Sequence, residues 1–225
     1  EVSRRIAGKT GVDIVLVPAA TIVVGSAVGV AAGPAVARMM YWLGSVINAA
    51  TTLHPIPMGI VLSVAMGMIL TLPISSAALS ISLGLSGLAA GASTAGCCCQ
   101  MIGFAVASFR ENGTGGLIAQ GLGTSMLQIP NIIRNPWIWV PPTAASAVLG
   151  PLSTVVFRME NSPIGAGMGT SGLVGQVSTL DVMGTSAWTG ILLLHFLLPA
   201  VLSLFFSEIL RRTGHIRSGD MKLGK

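Results

Sequence analysis

Between Arg38 and Arg110 the chain carries no Asp, Glu, Lys or Arg. A water-soluble domain has about one charged residue in four, whereas only 8% are charged here. A membrane-crossing helix needs about 20 apolar residues, so the uncharged interval holds several passes. A lipid-facing β-barrel would instead alternate polar and apolar residues in segments of about ten. Leu192-Leu193-Leu194 and Val201 to Phe206 are continuous apolar runs. The expected class is all-α: a polytopic protein of the cell membrane, with the lipid bilayer as its solvent.

The formal charge of +5 is no nucleic-acid footprint. Arg4, Arg5 and Lys9 lie at one end, and Arg211, Arg212, Arg217, Lys222 and Lys225 at the other. Both groups flank apolar runs, so the positive-inside bias predicts that both termini are cytoplasmic. The number of crossings should then be even. About seven clear spans and two ambiguous Gly/Ser-rich segments lead to an expectation of eight. The chain begins at Glu1 rather than Met, which suggests an incomplete N-terminus. The first apolar run is too long for a signal peptide.

The second organising feature is a repeated pattern. Ala90 to Gln100 reads AGASTAGCCCQ and Ala166 to Gln176 reads AGMGTSGLVGQ. The shared frame is A-G-x-x-T-x-G-x-x-x-Q. His54-Pro55 and Asn135-Pro136 each precede an apolar run, and Leu72-Pro73 and Gly150-Pro151 interrupt those runs. Such internal repeats with Gly/Pro-interrupted segments mark transporters, whose sites lie between the repeats. The resulting plan is N-terminal spans over 1–53, a first repeat over 54–133, a second over 134–210 and a basic cytoplasmic tail over 211–225.

Along the chain, a basic lead-in precedes a first span from Val12 to Ala32, with Pro18 inside it. Arg38 beside Tyr41-Trp42 reads as a boundary residue reaching the headgroups. Ile56 to Leu72 is a span. Ile74 to Leu88 is rich in Ser and Gly: a packed interior helix, or a re-entrant segment covered by protein. Ala95 to Phe109 is a span closing at an Arg110-Glu111-Asn112-Gly113 loop. Leu117 to Ile129 is an apolar run ended by Pro130. Arg134 to Trp139 reads as an interfacial anchor. Val140 to Phe157 is a span interrupted by Pro141-Pro142 and Pro151. Arg158 to Pro163 is the most polar internal loop. Ile164 to Leu180 is the second Gly-rich segment, broken at Asp181, and Ala187 to Leu210 is the last span.

Polar side chains at membrane depth are costly and therefore functional candidates. Gln100 and Gln176 close the repeated frame, and an amide both donates to and accepts from sugar hydroxyls. Either could instead tie helices together. Thr94 and Thr170 share that frame. Glu160 and Asn161 precede the second Gly-rich segment; the carboxylate could take two hydroxyl hydrogen bonds or simply pair with Arg158 in a solvated loop. His54 could meet a solute or cap a helix, and His195 reads as a buried neutral histidine. Cys97-Cys98-Cys99 read as small packing residues. No catalytic set, metal cluster or cofactor-binding motif is present. Gly8-Lys9-Thr10 is only a fragment of a phosphate loop.

The stretches LHPIPMGIVLSVAMGMILTLPISSAALS and GLAAGASTAGCCCQ through VFRMENSPIGAGMGTSGLVGQ resemble a known family. The chain resembles the IIC-type membrane component of the bacterial phosphoenolpyruvate-dependent sugar phosphotransferase system, in its perfringolysin-O-regulator-like branch. The resemblance spans about residues 1 to 210. It implies a sugar permease, usually a homodimer, working with soluble phosphotransferase subunits that phosphorylate the sugar. It further implies that a loop Glu and a His meet the sugar, for which Glu160 and His54 are the positions that could match, neither of them within a full copy of the family's usual motif. Residues 1–225 carry no phospho-acceptor motif, so the expectation is that this chain does not phosphorylate a sugar alone and is at most the membrane subunit of a sugar phosphotransferase complex. A membrane sensor or regulator that transports nothing, and a channel, are the alternatives.

Overall fold

The computed structural model describes residues 53–224 continuously and scattered helical positions between 22 and 50. The basic lead-in, Asp13, Pro18 and Tyr41 lie outside the described residues. The chain divides into two units, Glu1–Ser45 and Val46–Lys225. In the first, Arg38 is exposed and donates from Nε to the Pro34 carbonyl.

Among its described residues the second unit is predominantly helical and holds no strand beyond an isolated antiparallel bridge between Gly87 and Asn161. The first continuously described helix, α1, spans Pro55–Thr71. Prolines in its first turn cost no hydrogen bond, because those N–H groups have no intrahelical partner. It stops because Leu72 precedes Pro73, which forces an extended backbone; Leu72 has ψ 159°. Next comes α2, Ser76–Ser82, whose first turn is capped by Ser75 accepting from the Ala78 amide.

Helix α3, Gly87–Ala107, is the centre of the unit. Its 21 residues rise about 31 Å, the thickness of a hydrocarbon core. It is buried along nearly its whole length, and α1, α6 (Val140–Pro151) and α10 (Leu198–Arg212) pack around it. Lipid offers no hydrophobic gain for helix association, so small residues and close backbones must supply it. Here Ser63 Oγ donates to the Ser146 carbonyl at 2.7 Å, and Ser146 Oγ donates to the Pro142 and Gly96 carbonyls. Three helices thus meet at hydroxyls and glycines.

The prolines and charges after α3 behave differently from the sequence expectation. Arg110 to Gly113 is not a loop: α4, Phe109–Ile118, runs through it with a kink at Gly113, where φ is +59°. Pro130 does not end a run but sits in the first turn of α5, Ile129–Arg134. Pro141 and Pro142 likewise open α6. Beyond Pro151 the chain continues through a π-helical turn to Val156. Asp181 lies inside α8, Val174–Met183, which yields only at Gly184, φ +67°. The last apolar run is helical as expected: short α9 (Trp188–Gly190), a π-helical stretch Ile191–Leu197, then α10.

Two helical stretches among the described residues are long and apolar enough to cross a membrane: Gly87–Ala107 and the composite Ser171–Arg212; α1 is shorter, at 17 residues. Leu192, Leu197, Val201 and Phe205 on the second are uncovered by protein.

The basic tail is a folded strap. Glu111, 5% exposed, accepts from Arg211 Nη2 at 2.9 Å and from the Met221 amide at 2.9 Å. Asn112, Gln128 and Asn131 hold the backbone of residues 221–223. Asn135 donates to Asp220, and Trp137 packs on His215 with ring centres 4.5 Å apart. Replacing Glu111 by Gln removes a charge-assisted bond at a buried site. The expected loss is about 2 kcal/mol, with residues 213–224 becoming sensitive to limited proteolysis. An unchanged cleavage pattern contradicts the latch.

Candidate solute site

The site is built on the segment between α6 and α7 (Pro163–Ala166). Arg158 has φ +44°, a left-handed conformation that costs a non-glycine residue free energy and tends to be retained at functional sites. After it the chain is extended, so successive side chains point to opposite sides. Met159 goes inward, 2% exposed, into a core of Cys99, Leu149, Ile191 and Leu194. Asn161 also goes inward. Glu160, between them, projects outward and is exposed.

Asn161 pins this segment. Its backbone exchanges hydrogen bonds with Gly87 at 3.1 and 3.2 Å. Its Nδ2 donates to Thr94 Oγ1, Thr179 Oγ1 and the Gly175 carbonyl, and its Oδ1 accepts from the Ser162 amide. One amide therefore ties the loop to α3 and α8. The α3 backbone comes so close here that a Cβ on Gly91 would overlap the Met159 carbonyl.

The four-residue helix α7 and the break after it would leave carbonyls unpaired. Hydroxyls from α2 and α3 satisfy them: Ser80 donates to Pro163, Ser76 to Gly167, Ser93 to Ala166 and Thr94 to Gly165. Irregular backbone at membrane depth is tolerated only with such cover. The serines of the Ile74–Leu88 stretch thus serve a short helix paired with a second short helix.

Beside Glu160 lies a cavity of about 330 Å³ lined by Pro55, Leu88, Thr154, Val155, Arg158 and Glu160. Small-molecule sites run from about 300 to 1,000 Å³, so it is of the size for one small solute. Thr154 Oγ1 donates to the Pro55 carbonyl at 2.8 Å and closes one wall. His54 directly precedes Pro55; its carbonyl accepts from the Met58 amide while the residue stays exposed. His54 and Glu160 are therefore brought to one region.

The two repeat glutamines are not. Gln100 Oε1 accepts from Trp139 Nε1 at 3.1 Å and Thr71 Oγ1 at 3.3 Å, and its Nε2 donates to Thr143 Oγ1 at 3.0 Å. Thr71 is bonded in turn to Ser125. Gln176 Nε2 instead donates to Cys98 Sγ and His195 Nδ1, at 3.5 and 3.2 Å. Gln176 Oε1 and His195 Nε2 have no partner among the described residues. Thr170 Oγ1 donates to the Gly121 carbonyl. The half-buried Trp139 thus turns its indole N–H toward Gln100. All three cysteines are free and buried.

Replacing Gln100 by Leu strands the Trp139 indole N–H and takes one partner each from Thr71 and Thr143, which keep their bonds to Ser125 and the Trp139 carbonyl. The expected cost is about 2 kcal/mol of stability, read as a lower Tm in detergent, with unchanged solute affinity.

Three things escaped the sequence reading: the strained Arg158, Thr154 in the cavity wall, and the Gln120–Gln128–Asn131 chain that receives the strap. Three amide side chains in an otherwise apolar run were the available signal for the last.

An all-helical unit with a short broken-helix pair, hydroxyl-covered backbone and a polar-mouthed cavity is an arrangement that a helical membrane permease can use. The sequence profile of the phosphotransferase system EIIC family matches residues 1–223, and the chain belongs to that family. It is an IIC-type membrane component of the sugar phosphotransferase system and a protein of the cell membrane. No curated protein and no solved structure matches the chain.

Proposed function

We propose that the chain binds one sugar in the cavity at Glu160 and carries it across the membrane, for phosphorylation by soluble phosphotransferase subunits. The observation that carries this reading is the exposed carboxylate of Glu160, set beside Arg158 in a 330 Å³ cavity by the buried Asn161. A carboxylate accepts from two sugar hydroxyls, and a guanidinium donates to others. His54 stands at the rim. Asn161 and Thr94 position the loop. Gln100 and Thr170 hold the helices and hairpin together, and Gln176 with His195 keeps spare capacity deeper in the unit. The full protein crosses the membrane eight times as a homodimer with both termini cytoplasmic, and α2 and α7 form the broken segments.

The test is uptake and binding by the purified protein in vesicles, over a panel of sugars and polyols. A ligand-dependent rise in Tm with uptake of the same sugar supports the reading. Binding without uptake overturns transport and favours a sensor; neither binding nor uptake overturns both.

A further inference from the structure

A second cavity lies away from Glu160, in the angle between α3, α4 and the last helix. It holds about 560 Å³ and is walled by Ile102, Val106, Leu117, Leu122, Leu192 and Phe196, among other apolar groups. Val106 and Leu117 also line a neighbouring cavity of about 240 Å³, which contains Arg110, Ser207, Glu208 and Arg211. The two form one groove: apolar along the helices, charged where α10 ends.

Among the described residues the charges at that end are not neutralised. Three arginines, Arg110, Arg211 and Arg212, stand against two glutamates, Glu111 and Glu208. Glu111 is committed to Arg211 and the strap. Glu208 is shared by Arg110 at 3.2 Å and Arg212 at 3.8 Å, whose side chains remain 73% and 80% exposed. A guanidinium has five N–H donors, so each keeps most of its capacity for a second anion.

We propose that this groove binds an anionic glycerophospholipid, an acyl chain lying along Ile102 and Phe196 and the phosphate meeting Arg110 in the groove, with Arg212 just outside it beside Glu208. The shape and the charge select the occupant together. An apolar groove alone accepts any chain, but basic pockets between membrane helices favour anionic headgroups. The site does not depend on the sugar reading, since it shares no residue with the cavity at Glu160.

Native mass spectrometry of the purified protein, titrated with phosphatidylglycerol or phosphatidylcholine, tests it. Phosphatidylglycerol should be retained preferentially. Arg110→Gln should lower its retention about fivefold, because each basic residue near the surface contributes about that factor. Ala200→Phe, which narrows the apolar wall, should reduce retention of both lipids. Arg110→Gln lies on the surface and should keep the wild-type Tm. Equal retention of the two lipids, or no effect of Arg110→Gln, overturns the proposal. A change from dimer to monomer in Ala200→Phe with lipid retention intact assigns the groove to a second copy and also overturns it.

Discussion

Gly96→Ala should lower the melting temperature of the protein sharply. A Cβ at this position falls on the Ser63 carbonyl, inside any permissible contact, and meets Ser63 C and Cα as well. Those are backbone atoms of α1, which cannot turn aside as a side-chain tip would. The helices must separate instead, and separation breaks the Ser63–Ser146 and Ser146–Gly96 hydrogen bonds at the same crossing. Overpacking of a core costs about 1–3 kcal/mol, and the added loss of a buried hydrogen bond costs about 1 kcal/mol more. That is a large part of the roughly 5–15 kcal/mol that holds a domain folded. The measurement is the Tm and monodispersity of the variant in mild detergent. Gly115→Ala is the control: its Cβ enters open space within α4, and alanine is the better helix former by about 0.5–1 kcal/mol. It should melt at or above wild type. If the two variants melt together, the close crossing of α1 and α3 is not what holds the unit.

The crossing also shows what the sequence could and could not reveal. The charge-free interval from Arg38 to Arg110 pointed to buried or lipid-facing helices, and α1 and α3 lie there. The stop at Leu72-Pro73 followed from local sterics alone and is seen. Prolines at 130, 141 and 142 misled, because a proline breaks a helix interior but suits its first turn. The difference depends on where the previous element ends, which local pattern does not fix. Glu111 misled for another reason: its partner, Arg211, is a hundred residues away, and only tertiary packing turns a polar loop signal into a buried ion pair. The repeated frame is instructive in the same way. Its first copy is continuous helix; its second is broken, with φ +54° at Gly169, +53° at Gly172 and +60° at Leu173. Ser93 in the first copy stands where Gly169 stands in the second. Gly169 lies so close to Cys97 and Cys98 that a Cβ there would crowd both. The two copies therefore pack directly on each other, and their glutamines serve different networks. Asn161 and Glu160 were legible as polar residues ahead of a Gly-rich segment. That one faces in and the other out required the extended backbone between Arg158 and Pro163.

Glu160→Gln tests the solute site with the least disturbance of the fold. The side chain is exposed and only its backbone amide is engaged, toward Met183 Sδ. Removing its charge should therefore leave Tm unchanged. Hydrogen bonds to a charged acceptor are worth about 1.5–3 kcal/mol, so sugar affinity should fall about 10- to 150-fold. Uptake at subsaturating sugar should fall in proportion. Glu208→Gln is the control, a half-buried carboxylate in the second groove; it should leave sugar affinity intact. Asn161→Ala should look different from both. It removes the ties to Thr94, Thr179 and Gly175, so stability and affinity should fall together, since the loop that aims Glu160 is released. If Glu160→Gln binds sugar as well as wild type, the cavity beside it is not the solute site, whatever Asn161→Ala does. If Glu160→Gln loses binding at full stability while Asn161→Ala loses both, the buried amide aims the carboxylate and the carboxylate meets the sugar.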